Sequence, residues 1–178
     1  MTLSYKDIEK KAISYCIKSE KCEYDIRQKM IEWRTDKETI DKIINNLIDN
    51  NFINHQRYVN AFVHDAIYII NWGRLKIRYL LQQKKISETL INEAIGNINI
   101  EDYEKNLEKL IRQRFQAQIP VTVADKLKII KSLYSRGFEP DVTERIIERV
   151  LKNLSNFFLF FFITICKNTV LLQKFFKR

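Results

Sequence analysis

The sequence predicts an all-α protein: three tandem three-helix repeats in an elongated array, followed by an atypical hydrophobic C-terminal tail. Two observations predict it. One helical pattern is written three times at near-constant spacing. Shifted by 51 residues, Ile26, Met30, Ile40, Ile43, Ile44 and Leu47 fall on Ile77, Leu81, Ile91, Ala94, Ile95 and Ile98. A further shift of 52 carries Ile77, Leu81, Ile86, Leu90, Ala94, Ile95 and Ile98 onto Ile129, Leu133, Phe138, Val142, Ile146, Ile147 and Val150. Only Ile91 breaks the match, meeting Thr143. A period slightly longer than that of most helical repeats leaves room for three helices per unit, and units that pack on their neighbours leave a long surface free for a partner. The second observation is the shortage of breakers: three glycines and two prolines in 178 residues are too few for a set of hairpins. Repeats are expected over 1–52, 53–100 and 101–151, with the tail over 152–178.

Repeat 1 opens at Ser4, with Asp7 three residues on as a short capping box, and buries Tyr5, Ile8, Ala12, Tyr15 and Cys16 along one face. Its second helix carries Ile26, Met30 and Trp33. Thr35 to Glu38 reads as a capping box for the third, whose Ile40, Ile43, Ile44, Leu47 and Ile48 form the cleanest amphipathic stripe in the chain. Asn50-Asn51 ends it, because asparagine tolerates the left-handed conformation. In repeat 2, Asn54, Gly73 and Ser87 are each preceded by an apolar residue that staples onto one four places beyond the cap: Ile53 on Tyr58, Trp72 on Ile77, Ile86 on Ile91. Helices are expected over 54–70, 73–84 and 87–98. Repeat 3 starts near Glu101, whose acidic first turn suits the positive end of a helix dipole. Tyr103, Leu107, Leu110, Ile111 and Phe115 supply its stripe. Residues 118–122 break the pattern, Leu127 to Tyr134 form the next helix, and Arg136-Gly137-Phe138 turns into the last, with Pro140 at its first position, where a missing N–H costs nothing.

The tail is a different kind of sequence. Seven of the eleven phenylalanines lie after residue 156. The uncharged run over 153–166 is 14 residues, short of the roughly 20 that span a bilayer. Integral membrane insertion is therefore not expected; a surface anchor, burial by an extended last helix and an altered reading frame are three readings of the same segment. The net charge of +9 is uneven along the chain. Residues 1–70 hold 11 basic and 11 acidic side chains, and 152–178 hold five basic and none acidic. What remains in the body is a local basic stretch, Arg74, Lys76, Arg78, Lys84 and Lys85, with no acid between residues 71 and 86. Two histidines and three cysteines have no metal-ligand spacing, and the odd cysteine count argues against a disulfide framework. Reduced thiols in a cytoplasm, without a metal or other cofactor, are the expectation. The first residues are too polar for a signal peptide.

In order and spacing, Arg57-Tyr58-Val59-Asn60-Ala61-Phe62-Val63, then Trp72-Gly73-Arg74-Leu75-Lys76-Ile77-Arg78, then Ser135-Arg136-Gly137-Phe138 resemble the RecX family of bacterial recombination regulators. The resemblance runs from about Ile8 to Leu151, with Tyr15-Cys16 and Cys22 to Arg27 as its marks in repeat 1. It implies a curved, crescent-like array of three three-helix repeats. It also implies a non-enzymatic monomer that binds the RecA recombinase filament, meets single-stranded DNA directly or through that filament, and inhibits ATPase, strand exchange and filament growth.

From the residues themselves, Arg74 and Arg78 share a helix face and could hold phosphates or carboxylates bidentately, while Lys76 is turned away from them. A solvated basic face is the competing reading, and the resemblance favours binding. Trp72 is a stacking candidate that the staple against Ile77 would bury. Tyr58 and Phe62 read as core, and Arg57 beside them as a contact. Lys84, Lys85 and Arg136 occupy equivalent turns in repeats 2 and 3, with Arg34 in repeat 1, as expected for a basic ridge along an array. Cys22, at a cap-like position, is a mildly reactive thiol at most. A helix-turn-helix regulator reading duplex DNA is the alternative, since a three-helix unit can present a recognition helix. Residues 87–98 offer only Asn92 and Asn97 for base reading. No phosphate loop or nucleophile–base pair marks an enzyme.

Overall fold

The computed structural model describes residues 4–116 and 122–154, and every regular element among them is helical. The order is α1 (Tyr5–Lys18), α2 (Glu23–Glu32), α3 (Lys37–Asp49), α4 (His55–Tyr68), α5 (Arg74–Gln83), α6 (Glu88–Gly96), α7 (Ile100–Gln116), α8 (Val123–Ser135) and α9 (residues 140–154). Helices α1, α2 and α3 all touch one another, and so do α4, α5 and α6. The chain divides into two compact units, Met1–Asn99, holding these two three-helix repeats, and Ile100–Arg178, holding α7, α8 and α9. The expectations for the phenylalanine-rich segment, like those for 118–121, lie outside the described residues.

Local chemistry accounts for the boundaries. The side chains of Ser4, Asn54 and Ser87 accept from the backbone N–H three residues on, and Gly73 caps α5 through its extended backbone. At α3 the cap lies one residue later than the Thr35 box predicts: Asp36 accepts from the Thr39 N–H at 2.9 Å. A carboxylate there also meets the positive helix end. Thr122 and Asp125 form a reciprocal capping box that starts α8 four residues before Leu127. The apolar stripes pack inward as patterned, with Ile26, Met30, Ile43, Ile44 and Leu47 almost wholly buried in repeat 1. Tyr5 and Ile48 lie at the margins of their stripes and are exposed, and Tyr5 turns its hydroxyl to Glu9.

The same device ends the second helix of every repeat. Arg34, Lys85 and Gly137 have φ of 59°, 59° and 79°. These positions are related by the 51- and 52-residue offsets of the sequence. In each turn the left-handed residue donates to the carbonyl three back (Ile31, Gln82, Tyr134). The next residue donates to the carbonyl five back (Met30, Leu81, Leu133), at 3.1, 3.2 and 3.2 Å. This is a Schellman arrangement, which satisfies the last carbonyls and directs the following side chain back onto the helix. Ile86 and Phe138 are buried there. Glycine adopts the conformation freely, whereas a side chain with a Cβ is disfavoured in it by roughly 1–2 kcal/mol.

Two threonines stand where the other repeats are apolar. Thr35 takes the position of Ile86 and Phe138, and Thr143 that of Ile40 and Ile91. Thr143 is fully buried, and the Oγ1 atoms of both lack a hydrogen-bond partner. The single break in the sequence repeat is thus a buried polar atom in an apolar site. In the second unit, Glu104 on α7 is held by Arg145 at 2.7 Å and Arg149 at 3.1 Å on α9, while the Tyr103 hydroxyl donates to Glu139 at 2.6 Å. The Arg145 hydrogen bond leads the causes that hold the Glu104 carboxyl below its ordinary value of 4.5.

Thr143→Val, close in volume and free of the orphaned hydroxyl, is expected to stabilise the second unit by about 1 kcal/mol, read as a rise in the midpoint of denaturant unfolding. Because the folded Glu104 carboxyl is the stronger acid, its contribution is full above pH 4.5 and is lost as pH falls through the folded value. Glu104→Gln should therefore lower stability at neutral pH and flatten the loss of stability below pH 4.5, measured by unfolding across a pH series.

Candidate partner-binding surface

Seven of the eight residues singled out in the sequence lie in repeat 2, and the structure sorts them by what they already touch. Arg57, in the first turn of α4, reaches Glu20 between α1 and α2 and the Asn51 carbonyl at 3.1 Å. Lys84, at the α5–α6 turn, pairs with Asp25 in the first turn of α2. Both contacts run from repeat 2 to repeat 1.

Asp25 is the centre of this joint. It accepts from the Cys22 thiol at 3.2 Å as well as from Lys84, and the Lys84 ammonium stands 5.8 Å from the centre of the Tyr58 ring. The ion pair is mostly withdrawn from solvent, with side chains 25% and 19% exposed. Burial, reinforced by the neighbouring Cys22 and Asp25, drives the Tyr58 phenol far above its ordinary value. Burial likewise pushes the Cys22 thiol up to about 11. The expectation of a mildly reactive Cys22 is therefore corrected: the thiolate is scarce at neutral pH, and the thiol serves as a buried donor.

Arg78 is a strut. Its guanidinium holds Glu88 at the start of α6 at 2.9 Å, and Gln82 donates to the same carboxylate. Arg27, 51 residues earlier, ties α2 to Asp41 on α3 at 2.6 Å in the same way. One difference separates the two struts. Arg27 is also paired within its helix with Glu23 at 3.0 Å, whereas the residue equivalent to Glu23 in repeat 2 is Arg74. The acid that neutralises this face in repeat 1 is a cation in repeat 2.

Arg74 and Lys76 occupy the first turn of α5, which has no acidic residue and no side-chain cap. Cations there add to the positive end of the helix dipole. Lys76 extends over the Trp72 ring, 4.7 Å from its centre, and Trp72 packs in turn on Phe62 at 6.4 Å. Trp72 is half-buried, with one neighbour on α4 and one on α5, so it braces this corner of the repeat. Lys85 is exposed at its left-handed turn, and Arg136 is partly exposed beside Gly137. Arg34, the repeat 1 counterpart of these turns, shares the Lys85 geometry, with φ of 59° at both. The offset from Gly137 is the signal that finds it.

Comparison with known proteins follows the same division. Residues 54–95 match the RecX second three-helix domain. The chain is similar to the regulatory protein RecX of Clostridium botulinum (strain Alaska E43), 33% identical over 151 residues, covering 83% of this chain and 66% of that one. It is also similar to that of Clostridium perfringens (strain 13), 28% identical over 140 residues, covering 76% and 65%. The chain belongs to the RecX family. Its fold matches a crystal structure of RecX from Lactobacillus salivarius with a TM-score of 0.70, at 20% identity, over 82% of this chain and 96% of that one. A second crystal structure, of a regulatory protein RecX, aligns with a TM-score of 0.67 at 26% identity, covering 81% and 73%. The chain spans just under two thirds of the length of the Clostridium relatives it matches.

The stretch matched to the RecX second domain is the repeat that holds Arg57, Trp72, Arg74, Lys76, Arg78, Lys84 and Lys85. Among the described residues, no helix is long and apolar enough to cross a membrane, and no group of three or more histidine, cysteine or acidic side chains is placed to hold a metal ion. Removing Asp25 would strand the Lys84 ammonium in the joint. Asp25→Ala is expected to destabilise the first unit by about 2 kcal/mol, less than for a fully buried pair because both side chains keep some solvent, as measured by denaturant unfolding.

Proposed function

We propose that this protein regulates the RecA recombinase: a cytoplasmic monomer that binds the RecA filament assembled on single-stranded DNA and restrains its ATPase, strand exchange and growth. It acts as a binding protein, without catalysis of its own. The observation that carries this reading is the first turn of α5. Arg74 and Lys76 place two cations in a first turn that contains no acidic residue of its own, inside the repeat matched to the RecX second domain. A polyanionic filament is drawn to such a field, and arginine presents a fork suited to phosphate or carboxylate. An array of like repeats suits a target that itself repeats, because each unit offers an equivalent contact to successive positions. Bridging neighbouring filament subunits would oppose the movements that ATP turnover and strand exchange require.

DNA-stimulated ATP hydrolysis by the cognate RecA provides the test. Substoichiometric protein is expected to lower turnover, and unchanged turnover at equimolar protein would reject the reading. Arg74→Glu with Lys76→Glu should raise the concentration needed for half-inhibition roughly tenfold, a loss of about 1.4 kcal/mol, with the far-ultraviolet circular dichroism unchanged.

A further inference from the structure

We propose that Arg34 and Lys85 form a row of contacts to the phosphate backbone of single-stranded nucleic acid, an inference that rests on the filament-binding reading above. Both side chains are exposed, and among the described residues neither makes a hydrogen bond or an ion pair. Both sit at φ 59° in equivalent turns, where repeat 3 has Gly137. The other left-handed helix ends of the first unit use Asn51 and Asn71, the residue type that tolerates the conformation. Attraction to the negative end of a helix rationalises a cation anywhere in the last turn, but it does not require one at the left-handed position. A conformation that works against stability and gains no internal partner points to contacts made outside the chain.

The joint sets the spacing. Lys84 on Asp25 holds the α5–α6 turn against the first turn of α2, whereas Arg34 follows the last turn of α2. Along α2, the Lys84–Asp25 contact and Arg34 lie nine residues apart, about 14 Å of helix rise. Long, flexible cations at successive corners suit the evenly spaced phosphates of a strand; a protein partner is gripped instead by desolvated aromatic and arginine clusters.

The test uses the full chain and a fluorescein-labelled oligothymidylate, with affinity read by anisotropy from 50 to 200 mM salt. Each phosphate contact to a single strand contributes about 0.7 to the slope of log affinity against log salt. Arg34→Gly with Lys85→Gly should reduce the slope by about 1.4, so that wild-type affinity falls roughly sevenfold more than that of the variant over this range. The variant should unfold at the same or a higher temperature, and Arg34→Lys with Lys85→Arg should retain the wild-type slope. An unchanged slope overturns the proposal. So does a variant that keeps its oligothymidylate binding but loses inhibition of RecA, which would place the contacts on protein. If wild type inhibits RecA without binding the oligothymidylate, the filament reading stands and this inference falls. If wild type leaves RecA untouched yet shows the slope difference, the filament reading falls and the phosphate contacts stand.

Discussion

Each repeat depends on one backbone constraint, the left-handed residue that closes its second helix. Without a positive φ at Arg34, Lys85 and Gly137, the chain would run on along the axis of α2, α5 or α8 and leave the third helix no way back onto the core. The turn acts in three places at once. It satisfies carbonyls at the helix end, drives Ile86 or Phe138 into the apolar interior, and leaves the adjoining basic side chains at a corner. Packing and charge presentation are thus consequences of the same few dihedral angles. In repeat 1 the inward residue is Thr35, so the geometry is kept while the apolar reward is partly lost to an orphaned hydroxyl.

The joint between repeats 1 and 2 builds on that turn. Lys84 immediately precedes the left-handed residue, and the reversal of direction there places its ammonium against Asp25, with Tyr58 and Cys22 closing the remaining sides. A partly buried ion pair contributes little net stability against an apolar alternative, yet it tolerates few other arrangements, because a shift in register would leave both charges without partners. Apolar packing between like helices tolerates such a shift far better. The polar joint therefore sets which turn of repeat 2 meets which turn of repeat 1.

Much of this was legible in the sequence because it is local or periodic. The 51- and 52-residue offsets reported the apolar register, and Ser4, Asn54 and Ser87 announced their caps, since such a cap is a bond between residues three apart. The cations were harder to sort, and the reason is distance along the chain. Arg57 meets Glu20 37 residues away, and Lys84 meets Asp25 59 residues away, so nothing near either residue shows that its charge is engaged. The α3 cap falls one residue beyond Thr35 because Thr35 and Asp36 are both competent caps and the preceding Schellman turn engages the Thr35 N–H. Cys22 has a cap-like position before α2, but its thiol is buried and bonded to Asp25 three residues on, and the Tyr58 and Lys84 side chains beside that carboxylate come from repeat 2, which its local sequence does not report.

Charge carries the division of labour between the repeats. The struts Arg27 and Arg78 perform the same mechanical task, which leaves the residue one turn earlier free to vary without altering the fold. In repeat 1 that residue is Glu23, and the face is balanced; in repeat 2 it is Arg74, and the first turn of α5 becomes positive against its own dipole. An array of like modules permits this, since each repeat is stabilised mainly by its own three helices and the contacts of its neighbour. Repeat 2 gives up favourable helix-end electrostatics while repeat 1 keeps them, on scaffolds that otherwise share caps, turns and struts. The difference between Glu23 and Arg74 is thus one of charge, set on a scaffold whose strut is the same in both repeats.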